Sequence, residues 1–140
     1  RLVIIEDTLE LQCTAKDFVS LRARDGVTMR DLVRATMRLR PDRIVIGEVR
    51  GGEALDLLKA WNTGHPGGIA TIHADSAVKA LSRFEQLVRE AGVSDARQLI
   101  ADAVNVIIFI EKTKTGRKVT EMLEVSGKDD SYQLHHLSLE

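Results

Sequence analysis

One cysteine, two prolines and an aromatic content of 4% leave several kinds of protein out of reach for these 140 residues. A single Cys13 excludes an internal disulfide framework and suits a reducing compartment, and we read it as a small buried residue with no chemistry assigned. Without a cysteine pair or an H-x-x-x-H spacing, no structural zinc site is expected; His65 and His73 lie across a predicted strand from one another. No apolar run approaches the roughly 20 residues that span a bilayer, and no signal peptide is visible, so a soluble chain is expected, with membrane attachment through partners. Charge of one sign is missing too: 20 basic residues face 21 acidic ones, so no global field favours DNA or an anionic membrane. The phosphate-binding pattern G-x-x-x-x-G-K-[ST] is also absent; "TGRKVT" and "SGKDD" lack its spacing and fall in predicted hairpin turns.

Apolar residues make up 44% of the chain, enough to enclose one core. Leu2 to Ile5 is a continuous apolar run closed by Glu6 and Asp7, as in a strand buried on both faces. Leu9 to Leu11 reads as the loop leaving it. Thr28 and Asp31 form a capping box for a helix running to about Leu39, where Pro41 stops it. Arg43 to Gly47 is a second buried strand. Glu53 to Trp61 is a second helix with Leu55, Leu57, Leu58 and Trp61 on its apolar face and Gly64 as a left-handed stop. Gly68 to Ile72 makes a third strand. A long helix then carries Leu81, Phe84, Leu87 and Val88 up to Gly92, and Ser94 caps a shorter helix ending near Ala103. Asn105 to Ile110 and Lys118 to Val125 form an antiparallel hairpin of the kind that closes a sheet edge, and "SGKDD" turns into Tyr132 to Leu137. The alternation of strand and helix predicts an α/β fold with a mostly parallel sheet. Leu139-Glu140 reads as a cloning scar.

Three strand ends in succession deliver polar residues: Glu6 and Asp7, then Glu48 and Arg50, then His73 and Asp75. In a parallel sheet these ends share one edge, and ligands bind in the crevice outside it. If a nucleotide phosphate lay there, Glu48 on a rigid strand end would orient a water or hold one in the Mg²⁺ shell, with Glu6 as a second acid and Arg50 as a cation. The bland reading of Glu48 is a glutamate favouring the helix dipole, which Glu53 could supply as well. His73 would report on a γ-phosphate, bridge to a neighbouring subunit, or simply bond a backbone carbonyl at a turn. His65, in "TGHPGG", carries a weaker signal. His135-His136 is a hydrophilic terminus. Arg30, Arg34 and Arg38 fall on one helix face, read as solvated rather than as a nucleic-acid stripe because no aromatic residue interleaves with them.

"RLVIIEDTLELQ", "RPDRIVIGEVRGGEALDLLKAWNTGHPGG" and "GHPGGIATIHADSA" resemble the aspartate box, the Walker B region and the histidine box of the secretion and traffic ATPases. Within them the sequence is most similar to the TrbB-type conjugal-transfer ATPases of type IV secretion systems. The resemblance implies a partial RecA-like P-loop domain of α/β class, with residues 1–125 its carboxyl-terminal portion and 126–140 a final strand and tail. It implies ATP and Mg²⁺ as cofactors and a homo-hexamer at the cytoplasmic face of the bacterial inner membrane. There it would work with secretion or conjugation machinery, moving substrate or building pili, with no specific nucleic-acid binding. By position, Glu48 matches the water-orienting Walker B glutamate, and Glu6 the aspartate-box acid near Mg²⁺. His73 with His65 matches the histidine box, and Arg50 the arginine after the Walker B acid. Asp7, His65 and Gly47 are expected to line the nucleotide, Glu6 and Glu48 to hold the metal. Gly47 stands where many other P-loop ATPases carry a magnesium-binding aspartate. With no Walker A loop in its sequence, the chain reads as a piece of a longer enzyme, inactive alone. The competing expectation is a non-catalytic assembly module.

Overall fold

The computed structural model describes residues 1–128 and 131–139. Asp129 and Asp130 of the expected "SGKDD" turn, and Glu140 of the suspected scar, lie outside the described residues. The chain divides into two compact units, Arg1–Ile72 and His73–Glu140.

The first unit is built on four parallel strands: β1 (Leu2–Glu6), β2 (Phe18–Arg22), β3 (Arg43–Ile46) and β4 (Ile69–Ala70), in the order β2-β1-β3-β4. The apolar runs of β1 and β3 are central because only a strand covered on both faces can bury consecutive residues. Val3, Ile4 and Ile5 are all buried, as are Ile44 and Ile46. Each such side chain contributes about 1.5–3 kcal/mol on leaving water. The outer strand β2 was not expected. It alternates half-buried Val19 and Leu21 with exposed neighbours. A tight turn follows it, in which Arg24 and Val27 pair while Asp25 and Gly26 take φ of 54° and 86°. "Asp-Gly" is the sequence mark of that turn.

Helix α1 (Met29–Thr36) starts as expected: Thr28 Oγ1 accepts from the Asp31 amide at 3.2 Å and Asp31 Oδ2 accepts from the Thr28 amide at 3.0 Å. The Thr28 hydroxyl also donates to Asp31 Oδ2 at 2.6 Å, and this bond first, then that of the Thr28 amide, holds the Asp31 carboxyl below its ordinary pKa. A 3-10 turn, Met37–Leu39, ends it before Pro41. Helix α2 (Glu53–Asn62) buries Leu55, Leu57 and Leu58. The arginine face of α1 is not simply solvated. Arg30 and Arg34 both donate to Asp56 on α2, at 2.6 and 3.1 Å, while Arg38 is exposed. The third strand is shorter than expected, with only Ile69 and Ala70 paired to β3.

In the second unit, α3 (Ala77–Glu90) buries Leu81, Phe84, Leu87 and Val88. Two acceptors meet its first turn: Ser76 Oγ takes the Lys79 amide and Glu121 Oε2 the Ala77 amide. Helix α4 (Arg97–Ala103) is not capped by Ser94. Ala96 is the cap residue, and Asp95 Oδ1 accepts from the Arg97 amide at 3.1 Å. Strands β5 (Val106–Thr113), β6 (Gly116–Lys128) and β7 (Ser131–His136) form an antiparallel sheet of their own in the order β5-β6-β7, rather than a hairpin added to the parallel sheet. Leu123 and Val125 are buried, while Val106, Ile108 and Ile110 are exposed along β5. Cys13 is half-buried rather than buried. Among the described residues no helix is long and apolar enough to cross a membrane.

Gly68 marks a close approach in the first unit. The indole of Trp61 donates to the Ile44 carbonyl at 3.3 Å, and a Cβ on Gly68 would overlap both groups. Gly68→Ala is therefore expected to destabilise the protein by about 2–3 kcal/mol, since neither partner is a flexible chain end. Urea unfolding measures this; a change under about 0.5 kcal/mol would contradict the packing described.

Candidate functional site

The parallel register of β1 and β3 pairs Leu2 with Arg43 and Ile5 with Ile46, so the next residues, Glu6 and Gly47, stand side by side where both strands end. The Gly47 amide donates to the Ile5 carbonyl at 2.9 Å, carrying the ladder one step further. Beyond β4, Thr71 follows the same course: its hydroxyl donates to the Gly47 carbonyl and its own carbonyl accepts from Val49 at 2.9 Å. Each chain thus leaves the sheet in step with its neighbour.

Glu6 is 2% exposed. Its Oε1 accepts from the amides of Glu10 and Leu11, both at 2.9 Å, so one buried carboxylate oxygen ties down the loop that leaves β1. Glycine at 47 is what gives this side chain its place: a Cβ there would stand 3.2 Å from Glu6 Cγ, closer than side chains ordinarily pack. An aspartate at 47 would crowd Glu6 in shape and charge alike.

Glu48 and Arg50 leave the end of β3 and meet Asp7 from the end of β1. Arg50 Nη1 donates to Asp7 Oδ2 at 2.7 Å and Nη2 donates to Glu48 Oε2. The hydrogen bond to Glu48 first, and then the attraction of Asp7, raises the guanidinium pKa above its ordinary value, so Arg50 is charged at any working pH. Backbone geometry at this corner is held by Glu53, the buried first residue of α2. Its Oε1 accepts from the amides of Arg50 and Gly51 at 2.7 and 2.9 Å. Glu53 thus does more than favour the helix dipole: it accepts from the two amides that precede the cap residue Gly52 and so fixes the turn that enters α2.

Glu6, Asp7, Gly47, Glu48 and Arg50 are therefore brought together. His65 is not. Its Nδ1 lies 2.6 Å from the carbonyl of Pro41, which precedes β3, so this imidazole sits at the amino-terminal end of a strand whose other end carries Glu48. His73 is the first residue of the second unit and is exposed there, and Asp75 pairs with Lys79 at 3.0 Å on the same unit. No group of three or more histidine, cysteine or acidic side chains that could hold a metal occurs among the described residues. Glu6 is buried, and its Oε1 is taken by two backbone amides.

This is a parallel α/β edge with acidic and basic side chains gathered at the carboxyl ends of its strands, the usual place for a ligand in such sheets. The chain belongs to the Type II/IV secretion system protein family, whose family model matches residues 1–133. It is 53% identical over 137 residues to the conjugal transfer protein TrbB of Rhizobium radiobacter, a match covering 97% of this chain and 42% of that protein. It is 56% identical over 125 residues to the probable conjugal transfer protein TrbB of Sinorhizobium fredii, covering 89% of this chain and 38% of that one. Among solved structures, the VirB11 ATPase of the Brucella suis type IV secretion system, determined in complex with sulphate, superposes with a TM-score of 0.81 at 30% identity. That match covers 89% of this chain and 40% of the VirB11 chain. The chain spans about two fifths of the length of these relatives.

Removing the Glu6 carboxylate separates its structural work from any chemistry. Glu6→Ala is expected to cost about 1–3 kcal/mol, because the amides of Glu10 and Leu11 lose a charged acceptor, and Glu6→Gln to cost less, because an amide oxygen can still accept. Urea unfolding of both variants checks the order; equal stability of all three proteins would contradict it.

Proposed function

We propose that this chain is the carboxyl-terminal portion of the RecA-like domain of a hexameric ATPase that powers conjugal transfer or type IV secretion, residues 1–125 belonging to that domain and 126–140 forming its final strand and tail. The observation that carries the proposal is the cluster of Glu48, Arg50 and Asp7 beside buried Glu6, at the carboxyl ends of parallel strands in a chain of this family. Its relatives bear the names of conjugal transfer proteins, and its structural neighbour that of a type IV secretion ATPase.

In this reading Glu48 orients the attacking water: its carboxylate is held at a strand end by Arg50, and its side chain is 17% exposed. Phosphoryl transfer depends chiefly on position and charge neutralisation, which suits a carboxylate so fixed. Glu6 shapes the loop leaving β1, and Gly47 leaves it room. Bound with ATP, Mg²⁺ would neutralise the β- and γ-phosphates, with Glu48 as the carboxylate that fits its shell. His73, with His65 as the second histidine of the same box, reads out the γ-phosphate toward a neighbouring subunit. A cytoplasmic ring on the inner membrane follows from the same reading. So does the inactivity of residues 1–140 by themselves, since their sequence holds no G-x-x-x-x-G-K-[ST] loop.

The test needs the protein extended upstream to the length of its relatives. Glu48→Gln there is expected to bind ATP like the unaltered protein and to hydrolyse it about 10²–10⁴-fold more slowly. Unchanged turnover would remove Glu48 from this role, and no turnover by the unaltered extended protein would favour an assembly module instead.

A further inference from the structure

The covered face of strand β6 contains a charge. Alternation along the strand places Glu121 on the same side as buried Leu123 and Val125. Helices of the second unit lie over that side: a Cβ on Gly127, further along the same row, would stand 2.6 Å from Ala101 Cβ of α4. Just before Glu121 the ladder slips. Glu121 pairs with Phe109, but Val119, not Thr120, pairs with Ile110, so a bulge ends the regular row at this carboxylate.

A half-buried carboxylate in an apolar row is unfavourable unless a donor meets it, and the donor here is the backbone of α3. Glu121 Oε2 accepts from the Ala77 amide at 3.0 Å, across 44 residues of sequence. Helix α3 has no acidic residue in its own first turn, so the negative charge that favours a helix start comes from a strand instead. We propose that Glu121 is a positioning residue for His73: by fixing the first residue of α3, it fixes the end of the short segment that carries the imidazole. The proposal rests on the reading of His73 given above.

His73 stands four residues before Ala77, and residues 73–76 form no helix or strand. Where the first turn of α3 stands therefore decides where this segment must end. A second link between segment and helix, Asp75 to Lys79 at 3.0 Å, joins two exposed side chains and contributes little. The bond from Glu121 is of the stronger kind, a half-buried, charge-assisted one to a backbone amide.

The experiment uses the protein at the full length of its relatives. Glu121→Ala is expected to lower kcat about 10-fold, as a misplaced group does, while KM changes less than about twofold. Glu121→Gln, whose amide oxygen can still accept from Ala77, is expected to keep at least about a third of the unaltered kcat. Solvent exchange of the Ala77 amide is expected to speed up at least about 10-fold in Glu121→Ala and less than about threefold in Glu121→Gln. Glu121→Asp, one methylene short of Ala77, is expected to behave like the alanine variant, and it serves in its place if that variant does not fold. Because Glu121 acts through His73, adding Glu121→Ala to His73→Ala is expected to change kcat less than about twofold beyond His73→Ala alone. A role in the fold alone would lower kcat by the same factor in either background. The proposal is overturned if Glu121→Ala leaves kcat or Ala77 exchange unaltered, if KM carries the loss, or if its effect multiplies with that of His73→Ala. His73→Ala by itself keeps the two ideas apart. If it is crippled while Glu121→Ala turns over normally, only the Glu121 proposal fails; if it turns over normally, the reading of His73 fails and takes the proposal with it.

Discussion

A missing methylene holds this corner of the protein together. Because residue 47 has no Cβ, the side chain of Glu6 can lie against the end of the neighbouring strand, stay buried, and receive two backbone amides from the loop that follows it. The register of β1 and β3 makes the meeting unavoidable, since a parallel pair that aligns Ile5 with Ile46 aligns the next two residues as well. A side chain at 47 would force either the carboxylate or the strand to move, and every polar group beyond depends on both staying in place.

From that fixed point outward, each element sets the next. The loop held by Glu6 begins with Asp7, Asp7 takes one arm of Arg50, and Arg50 takes Glu48, while Glu53 stiffens the backbone below them. The energies of exposed ion pairs are small, typically under about 1 kcal/mol each, so this chain of contacts is better understood as orientation than as stability. Stability comes instead from the covered strands β1 and β3 and from the buried apolar faces of the helices.

Much of this was legible in the residues alone, for physical reasons that also explain what was not. β1, β3 and α1 announce themselves through unbroken apolar runs and a capping box, signals that need no knowledge of the rest of the chain. The likeness to TrbB-type proteins was likewise readable from three boxes in order, and the family match bears it out. β2 escaped because it is short and half-exposed, although the Asp25-Gly26 turn marked its end. The antiparallel hairpin was legible, but its forming a sheet of its own was not, because a hairpin pattern does not say which sheet it joins. At the site, the gathering of Asp7, Glu48 and Arg50 followed from strand ends sharing an edge. The backbone duty of Glu6 and the far-end placement of His65 did not, because both depend on which carbonyl or amide tertiary contact brings near.

The central claim is that the bare α-carbon of Gly47 lets a buried Glu6 hold the loop beyond β1. Amide hydrogen exchange at Glu10 and Leu11 tests it most directly. Both amides should exchange slowly in the unaltered protein and at the rate of an open loop in Gly47→Val. Fast exchange in the unaltered protein, or protection that survives Gly47→Val, would contradict it.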